Sequence, residues 1–419
     1  MLSVEEALTR ILSFFGVLEV ESKTPLESQG QVLANDITSN HDVPPLDNSA
    51  MDGFAVRSGS VTGASVDTPV TLKVIGAIAA GQIPEREVAP GTAIRIMTGA
   101  PVPRGADAIV PFEHTDEAHR KEMGLAVTVI GVLSEAPPRS NIRPAGQDIK
   151  MGDKVLQEGT VLRASEIGVL ASLGYDLIQV TRRPKIAILA TGDELIEPDQ
   201  EYETGRIYNS NTLSLAAAVT SAGGIPKPLG IALDDIDSLG EKLNIAMGYD
   251  ALITSAGVSK GDYDVVKDVL AQHGEVNFWS VRMRPAKPLA FGTISCPGGR
   301  KMPHLGLPGN PVSALVAFEQ FGRPAIRKML GMKAVTRPTI EAVLEEPIYN
   351  EDGRRVFARV IVTKRRDSYY AKLTGNQGSN LLTSMALANG LAICPEDVAV
   401  VRAGEKVTVQ MIDWPEAVF

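Results

Sequence analysis

From residue 185 onward, short apolar runs alternate with helical patterns, and this alternation constrains the fold more than any other feature. Strands are predicted at "KIAILAT" (185–191), "PKPLGIA" (226–232) and "YDALITSAG" (249–257), and further strands near 276–283, 288–294 and 303–307. Helices are predicted at 211–223, 235–247 and 262–274, the first with Asn211 as its N-cap. Alternating strands and helices predict an α/β region with a mostly parallel sheet wrapped by helices.

The segments on either side of this region have other patterns. Residues 3–15 have the apolar spacing of an amphipathic helix, with Ser3 and Glu6 as an expected capping box. The other short elements expected before residue 183 are helices at 26–37 and 165–174 and hairpins at 141–162. Short β-rich runs divided by turns fill residues 46–140 and return from about residue 333. The flanking segments therefore predict small β-rich domains.

Composition disfavours several classes of protein. The 419 residues are 44% hydrophobic and 22% charged, which is typical of a soluble multidomain protein. No apolar run reaches the ~18 residues that span a bilayer, and the acidic N-terminus is not a signal peptide. The net charge of −9 disfavours nucleic acid, whose phosphates bind basic surfaces. Two cysteines cannot form a disulfide framework, and no Cys/His spacing indicates zinc. We expect a cytoplasmic protein that binds neither membrane nor nucleic acid.

The loop "ATGDEL" (190–195) follows the first predicted strand of the α/β region. In open parallel sheets, ligands bind beyond the carboxyl ends of the strands. Asp193 and Glu194 either cap a turn there or coordinate Mg²⁺, which prefers carboxylates together with substrate phosphates. The residues alone leave both interpretations open.

The loop "TSAGVSKGDYD" (254–264) follows another predicted strand. Its small residues let backbone N–H groups approach a ligand, and Ser255 and Ser259 add hydroxyl donors. Asp264 is placed to cap the next helix, which leaves Asp262 free to face a site. This loop predicts ligand binding.

The stretch "GLPGNPVSALVAF" (306–318) joins a predicted strand to a helix. Pro311 fits the first helical position and Asn310 the N-cap. A helix N-terminus exposes unpaired N–H groups and partial positive charge, which suits a phosphate or other oxyanion. A well-capped helix without a ligand is the equal alternative.

The segment "VRMRPAKPLAFG" (281–292) concentrates positive charge in an acidic protein. Arg282, Arg284 and Lys287 lie within six residues, stiffened by two prolines. The cluster either binds an anion beside the helix start or is a solvated charged surface. Turn chemistry explains two upstream segments, "PPLDNSAMDGFAV" (44–56) and "IRIMTGAPVPRGADAIV" (94–110), and the residues alone single out neither.

Together these segments resemble one enzyme family, the molybdopterin molybdenumtransferases, to which the gephyrin C-terminal domain is similar. The resemblance covers nearly the whole chain, and the motifs occur in the family's order. They are "DNSAMDGFAV", "IRIMTGAPVPRGADAIV", "NIRPAGQDI", "RPKIAILATGDEL", "RIYNSNT", "TSAGVSKGDYD", "RPAKPLAFG", "GLPGNPVSALVAFEQF" and "QGSNLLTSMALANGL".

The resemblance implies an elongated α/β multidomain subunit in a homodimer. It has a three-layer α/β molybdopterin-binding domain, β-rich domains and a C-terminal β-barrel. The implied divisions are an N-terminal helix (1–22) packing on the α/β domain (179–331), a discontinuous elongated domain (23–45 and 141–178), a small β-rich domain (46–140) and the barrel (332–419). The implied reaction inserts molybdate into the dithiolene of adenylylated molybdopterin, with Mg²⁺-dependent release of AMP. The implied partners are these substrates, a second copy of the chain and a molybdopterin adenylyltransferase.

The resemblance also implies site residues, some of which the loops above had already indicated. The implied catalytic residues are Asp52, Glu194, Asp234 and Asp262, the last three holding the metal. Implied substrate contacts are Thr98, Asp148, Arg284, Lys287, Pro308, Pro311, Ser313, Arg359 and Ser379. The pattern of the loop at 254–264 adds Ser255 and Ser259.

The chain departs from the family's pattern at several positions. Where the family usually has Gly, this chain has Ala256 and Ala286. The other departures are Lys260 for a small apolar residue, Arg284 for Lys, Gln147 for Glu and Asn209 for Asp. Arginine still binds oxyanions, but with a planar fork instead of a point charge, so the basic segment is expected to keep its role.

Three other functions stay open from the sequence. An adenylyltransferase acting on the preceding pterin intermediate would share the α/β region, but the flanking domains disfavour it. A non-catalytic scaffold like gephyrin's related domain would have no use for carboxylates in a cleft. The sequence cannot show whether the substrate is molybdate or tungstate, because the two oxyanions are nearly the same size.

Overall fold

The N-terminal helix, α1 (Val4–Ser13), begins where the sequence predicts it. The Ser3 hydroxyl accepts a hydrogen bond from the Glu6 N–H at 3.0 Å, and the Glu6 carboxylate accepts one from the Ser3 N–H at 2.9 Å. These reciprocal bonds confirm the capping box. Ala7 and Ile11 are fully buried in the same core as the central sheet, so the cap fixes the start of a helix that contributes to that core.

The computed structural model describes residues 1–233, 235–256 and 274–414, which divide into two units. The first unit contains residues 1–34, 159–163 and 177–419, and the second contains 35–158 and 164–176. After α1, the helices before residue 182 are α2 (Glu117–Glu122) and α3 (Ala164–Ser172). The strands before residue 182 are β1 (Val20–Lys23), β2 (Val32–Leu33), β3 (Ile37–Thr38), β4 (Asn48–Ser49), β5 (Gly53–Val56), β6 (Val70–Ile78), β7 (Thr92–Ile96), β8 (Ala108–Pro111), β9 (Val129–Val132), β10 (Ile142–Arg143), β11 (Lys154–Leu156) and β12 (Ile178–Thr181).

The second unit is built mainly from strands, as its sequence pattern predicts. Strands β8, β5, β7, β6 and β9 form one five-stranded sheet in that order. The hairpins expected at 141–162 are wrong, because β10 and β11 pair with β4 and β3, about a hundred residues earlier. Sequence pattern identifies the extended residues but cannot show that their partners are so distant.

The helix expected at 26–37 is also wrong. Gly30 has a φ of +78°, a left-handed conformation that ends any regular helix there. Val32 and Leu33 instead pair with Thr181 and Val180 of β12. Part of this segment is therefore a short strand, and its Val32 packs in the core of the first unit.

The central sheet of the first unit has the order β16-β13-β17-β21-β20-β18. Its strands and their neighbours are β13 (Lys185–Thr191), β14 (Leu195–Ile196), β15 (Ile207–Tyr208), β16 (Ile225–Ala232), β17 (Ala251–Ser255), β18 (Gly274–Ser280), β19 (Met283–Arg284), β20 (Pro288–Ser295) and β21 (Lys301–Leu307). The first four strands of the sheet run parallel, as predicted. Strands β18 and β20 join antiparallel, because their connections are too short for the crossover that parallel strands need.

The helices of this region are α4 (Ser210–Ala222), α5 (Ile236–Ala246), α6 (Pro311–Ala317) and α7 (Arg323–Met329). Residues 262–273 of the helix predicted at 262–274 lie outside the described residues, and Gly274 begins β18. The N-cap of α4 is Asn209 and not Asn211: its side chain accepts a hydrogen bond from the Thr212 N–H at 3.2 Å. Asn211 is the second helical residue, which frees its amide for other contacts.

The C-terminal strands close into a barrel, as predicted. The elements are β22 (Thr339–Leu344), β23 (Ile348–Tyr349), β24 (Arg355–Arg365), β25 (Ser368–Leu373), α8 (Leu382–Ala386), β26 (Gly390–Cys394), β27 (Val400–Val401) and β28 (Lys406–Met411). The ring runs β24-β25-β22-β28-β26 and returns to β24. Strand β19 of the basic segment adds to β24, so that segment lies against the barrel. No helix among the described residues is long and apolar enough to cross a membrane.

Candidate functional site

The main pocket of the first unit lies where parallel strands end. Ser255 at the end of β17 pairs with Leu307 at the end of β21, and Ala190 of β13 pairs with Ser255. The pocket has a volume of about 630 Å³. Its lining comes from the loops after these strands and the starts of α4 and α6: Ala190, Thr191, Glu194, Leu195, Ile207, Tyr208, Asn209, Ser210, Asn211, Ser255, Ala256, Pro288, Pro308, Gly309, Asn310, Pro311 and Asn380. Ligand pockets of open α/β sheets typically lie beyond the carboxyl ends of the parallel strands, as this pocket does.

Glu194 is the one carboxylate among the residues that line this pocket. It follows Gly192, whose φ of +142° is a conformation that glycine favours. A Cβ atom at residue 192 would crowd the Glu194 carboxylate, and that side chain would have to shift. The Glu194 carbonyl accepts a hydrogen bond from the Ile207 N–H at 2.8 Å, which fixes the backbone of this loop. The local sequence thus places a carboxylate at the pocket and keeps the space beside it clear.

Ser255 lies at the pocket and is 2% exposed. The Asn211 amide nitrogen donates to the Ser255 hydroxyl oxygen at 2.6 Å and to the Gly309 carbonyl at 2.7 Å. The preceding residue, Thr254, shares a 3.0 Å hydrogen bond with the fully buried ring of His304. The end of β17 is therefore held on both faces of the sheet.

The start of α6 is only partly open to a ligand. Asn310 is the N-cap, as predicted, but its side chain makes no capping bond, and Pro311 has no N–H. The Val312 N–H donates to the Ser379 carbonyl of the C-terminal region at 3.1 Å. Ser313 supplies the next N–H and is among the residues that line a second pocket. One of the donors expected at this helix start is thus used to hold the C-terminal region.

The second pocket adjoins the first and is basic. It has a volume of about 340 Å³ and shares Pro288, Pro308 and Asn310 with the main pocket. Its remaining lining residues are Arg284, Pro285, Ala286, Lys287, Ser313, Arg354, Gln377, Gly378 and Ser379. The lining contains three cations and no carboxylate. This combination suits a small oxyanion.

The cations of the second pocket differ in how they are compensated. Arg354 donates to the Asp352 carboxylate at 2.9 Å and to the Met283 carbonyl at 3.3 Å. Its hydrogen bond lowers the pKa of Asp352. Arg284 and Lys287 form no ion pair with any described residue, although the charge of Arg284 also contributes to the lowered pKa of Asp352. Neither cation is held by a direct contact with a described carboxylate, so both can bind a ligand.

Arg359 lies behind the second pocket and not in its lining. The side chain is 1% exposed and donates to the Ser384 hydroxyl at 3.1 Å and the Gly378 carbonyl at 2.9 Å. Burial lowers the pKa of Arg359 to about 10. It lines a neighbouring pocket of about 290 Å³ that also contains Arg284 and Gln377. Arg359 thus holds the loop that ends in Ser379.

Asp52, Thr98 and Asp148 belong to the second unit. The Thr98 N–H and hydroxyl both donate to one oxygen of Asp52 at 2.7 Å, and these bonds lower the pKa of the Asp52 carboxyl. The sequence separates the two residues by 46 positions, and the sheet brings them together because Gly53 pairs with Ile96. Asp148 is exposed.

Asp234, Ser259 and Asp262 lie outside the described residues, as does Lys260. Of the three predicted metal ligands, Glu194 alone is therefore placed, and it lies at the pocket. Among residues 1–233, 235–256 and 274–414, no three His, Cys, Asp or Glu side chains come together as a metal site. Cys296 and Cys394 are free and buried.

Asn211 and Arg354 are among the lining residues that sequence reasoning missed. Asn211 was assigned to a helix cap, because two asparagines two positions apart are equally good N-caps by residue type. Arg354 was not indicated, because it reaches the second pocket from the barrel, 67 residues beyond Lys287. The basic run "GRR" at 353–355 is the one signal that could have drawn attention to it.

Three family models match successive parts of the chain. They are the MoeA N-terminal region (domains I and II) over residues 2–174, the "Probable molybdopterin binding domain" over 187–328, and the MoeA C-terminal region (domain IV) over 341–412. The pockets described above lie in the second and third of these regions, together with their flanking residues.

Curated relatives and solved structures agree with these models. The chain is 39% identical over 391 residues to molybdopterin molybdenumtransferase 2 of Mycobacterium tuberculosis, covering 91% of this chain and 93% of the relative. It is 34% identical over 418 residues to molybdopterin molybdenumtransferase of Nostoc sp., covering 98% and 93%. The crystal structure of a molybdopterin biosynthesis MoeA protein from Pyrococcus horikoshii has a TM-score of 0.81 at 31% identity, covering 99% of this chain and 100% of that one. The chain belongs to the molybdopterin molybdenumtransferase (MoeA) family.

Proposed function

We propose that this chain is a molybdenum insertase that transfers molybdenum from molybdate to the dithiolene of adenylylated molybdopterin and releases AMP. One observation carries the proposal. A pocket of about 630 Å³ at the strand ends adjoins a pocket of about 340 Å³ that is lined by cations and no carboxylate. A large substrate with an anionic end and a separate small oxyanion would fit this pair of pockets.

The basic pocket is the proposed oxyanion site. Lys287 and Arg284 supply positive charge that no ion pair with a described carboxylate engages, and Ser313 and Ser379 supply hydroxyl groups. The oxyanion is either molybdate or the terminal phosphate of the pterin. Hydrogen-bond donors fixed where charge develops are worth about 3 kcal/mol each in a site from which water is excluded.

Mg²⁺ remains part of the proposal through Glu194, Asp234 and Asp262. The placement of the Glu194 carboxylate at the main pocket supports it, and the other two acids lie outside the described residues. When bound, the ion would offset charge on the phosphate oxygens of the linkage that joins pterin to AMP. Asp52, Thr98 and Asp148 of the second unit are further proposed substrate contacts.

The protein needs no sulfur ligand or covalent nucleophile of its own in this reaction. The dithiolene of the substrate supplies both sulfur atoms, and neither cysteine is among the residues that line the pockets. Pro308 and Pro311 form fixed walls of the main pocket. We propose that the chain acts by binding and orienting two substrates next to each other.

The wider setting of the reaction is also proposed from family membership. It comprises a homodimer, a cytoplasmic location and contact with the adenylyltransferase that supplies adenylylated molybdopterin. That enzyme class produces the substrate, so contact with it would shorten the transfer of a reactive intermediate.

The substitution Asp262→Asn tests the proposed metal role. It should abolish Mg²⁺-dependent AMP release from adenylylated molybdopterin while it keeps the melting temperature within about 3 °C of wild type. Asp237→Asn is the matched control, since Asp237 is exposed on α5 and lines neither pocket. Full activity of Asp262→Asn would remove the metal role. Consumption of ATP without molybdate would instead favour the adenylyltransferase function.

A further inference from the structure

The Asn211 side chain bridges two loops of the main pocket. Its amide nitrogen has two hydrogens, and each has an acceptor: the Ser255 hydroxyl oxygen at 2.6 Å and the Gly309 carbonyl at 2.7 Å. Ser255 ends β17 and Gly309 follows β21, so one amide joins two neighbouring strand ends. The Asn211 amide oxygen is buried and has no partner among the described residues.

The Gly309 carbonyl determines which way this amide points. A carbonyl oxygen can only accept a hydrogen bond, so the group that faces it must be the Asn211 nitrogen. The same nitrogen faces Ser255, and the Ser255 oxygen therefore accepts. The reversed amide would bring two oxygens to 2.7 Å, which is repulsive. The polarity of the Asn211–Ser255 bond is thus fixed by a third group.

This polarity leaves the Ser255 hydroxyl hydrogen unused. A hydroxyl has one hydrogen to donate, and Ser255 donates to no acceptor among the described residues. Ser255 lines the main pocket and is 2% exposed, so an acceptor for this hydrogen, other than the described residues, would have to lie in the pocket. A buried donor without an acceptor costs free energy until a ligand supplies one.

We infer that Asn211 is a positioning residue that holds Ser255 as a hydrogen-bond donor to an oxygen of the bound pterin substrate. The inference rests on the proposed function, because that function supplies a phosphate-bearing substrate for the main pocket. Asn211 acts through Ser255 and need not contact the substrate itself. The class of ligand atom is an anionic oxygen, because a fixed neutral donor discriminates in favour of negative charge.

The substitution Asn211→Asp tests the inference with almost no change in size. An aspartate accepts the Ser255 hydrogen, which withdraws it from the pocket, and it cannot donate to Gly309. We expect the dissociation constant for adenylylated molybdopterin to rise about ten-fold, the effect of one hydrogen bond to a charged oxygen. Ser255→Ala should give a similar rise. The double variant should bind the substrate no more weakly than the weaker-binding single variant, because both substitutions remove the same donor.

Ser214→Ala is the matched control. Ser214 lies on the same helix and donates to the Asn211 carbonyl at 3.1 Å, but it does not line the pocket. We expect it to bind the substrate as wild type does. The inference would be overturned if the losses of binding free energy in the two single variants added up in the double variant. It would also be overturned if the single variants bound the substrate as tightly as Ser214→Ala does. A rise in KM for the pterin with an unchanged KM for molybdate would support it.

The outcome separates this inference from the proposed function. If wild type binds adenylylated molybdopterin without inserting molybdenum, the insertase function fails, and the binding series still tests Asn211. If wild type inserts molybdenum and the Asn211 and Ser255 variants bind normally, the inference alone fails. If wild type does not bind the adenylylated pterin, both fail.

Discussion

Two alanines of the site adopt a backbone conformation that glycine favours. Ala256 has a φ of +80° at the main pocket, and Ala286 has a φ of +72° at the basic pocket. These are the positions where the resemblance led us to expect glycine. A left-handed conformation costs a residue with a Cβ atom about 1 kcal/mol or more. The departures from the family pattern therefore have a physical consequence for stability.

Ala286→Gly should relieve this strain. We expect the free energy of unfolding to rise by about 1 kcal/mol, since the strain removed exceeds the extra flexibility of the unfolded chain. Urea denaturation measures it. Ala334→Gly, at an exposed position without a positive φ, is the control and should give no gain. Equal effects of the two substitutions would contradict the role of φ.

His304 links acid stability to the core of the first unit. Complete burial lowers its pKa to about 3 from an ordinary value of 6.5. The ring therefore stays neutral in the folded chain while the unfolded chain takes up a proton below pH 6.5. Stability should fall as the pH falls from 6.5 to 3, by at most ~1.4 kcal/mol per pH unit from this one group.

His304→Gln tests this dependence. Glutamine keeps a polar group near the Thr254 hydroxyl but does not titrate. The slope of unfolding free energy against pH between 6.5 and 3 should be smaller in the variant, as measured by denaturation at several pH values. Identical slopes would show that His304 does not contribute.

At the scale of elements, local sequence signals predicted where α1 starts, but they did not predict which strands pair. Ser3 and Glu6 predicted the start of α1 because a capping box involves residues only three apart. The strands β2 and β3 were missed, because their partners β12 and β11 lie more than a hundred residues away. Gly30 was visible in the sequence, but its φ was not. Predictions from sequence therefore hold where the deciding contacts are local.

Asp250 connects elements at the start of the central sheet. Burial opposes its ionisation, but hydrogen bonds from Arg182 at 2.7 Å and from the Lys185 N–H at 2.8 Å outweigh this and lower its pKa. The stabilisation is present at neutral pH and is lost as the pH falls below the ordinary value of 3.8.

Asp250→Asn should therefore destabilise the sheet. We expect a loss of about 2 kcal/mol at pH 7, because Arg182 loses its buried charged partner. Thermal denaturation measures the loss, and the exposed Asp199→Asn is the control. A melting temperature equal to that of the control would contradict this role of Asp250.

At the scale of the whole molecule, the site combines residues that the sequence places far apart. The strand-end rule predicted Glu194 and Ser255, because it depends only on the alternation of strands and helices. Ser379 and Arg359 came from the family resemblance, since no periodicity shows that a barrel packs beside a helix start. Arg354 was missed for the same reason. Residue patterns alone located one side of the site, and the other side came from the family resemblance and, for Arg354, from the fold.

The charge of the molecule contrasts with the charge of its basic pocket. The chain carries a net charge of −9, while Arg284 and Lys287 of this pocket form no ion pair with a described residue. Lys287→Ala should weaken molybdate binding about ten-fold and reduce its dependence on salt. Titration with molybdate at two ionic strengths measures both effects. Lys372→Ala, an exposed change on the barrel, should alter neither.

The most direct test of the central claim is metal analysis of the pterin after incubation with the purified protein. The mixture contains adenylylated molybdopterin, Mg²⁺ and either molybdate or tungstate, and the pterin is separated before its metal and the released AMP are measured. We predict one molybdenum per pterin with an equal amount of AMP, and much less of both without the protein. A pterin fraction without metal, or metal bound with no AMP released, would contradict the account.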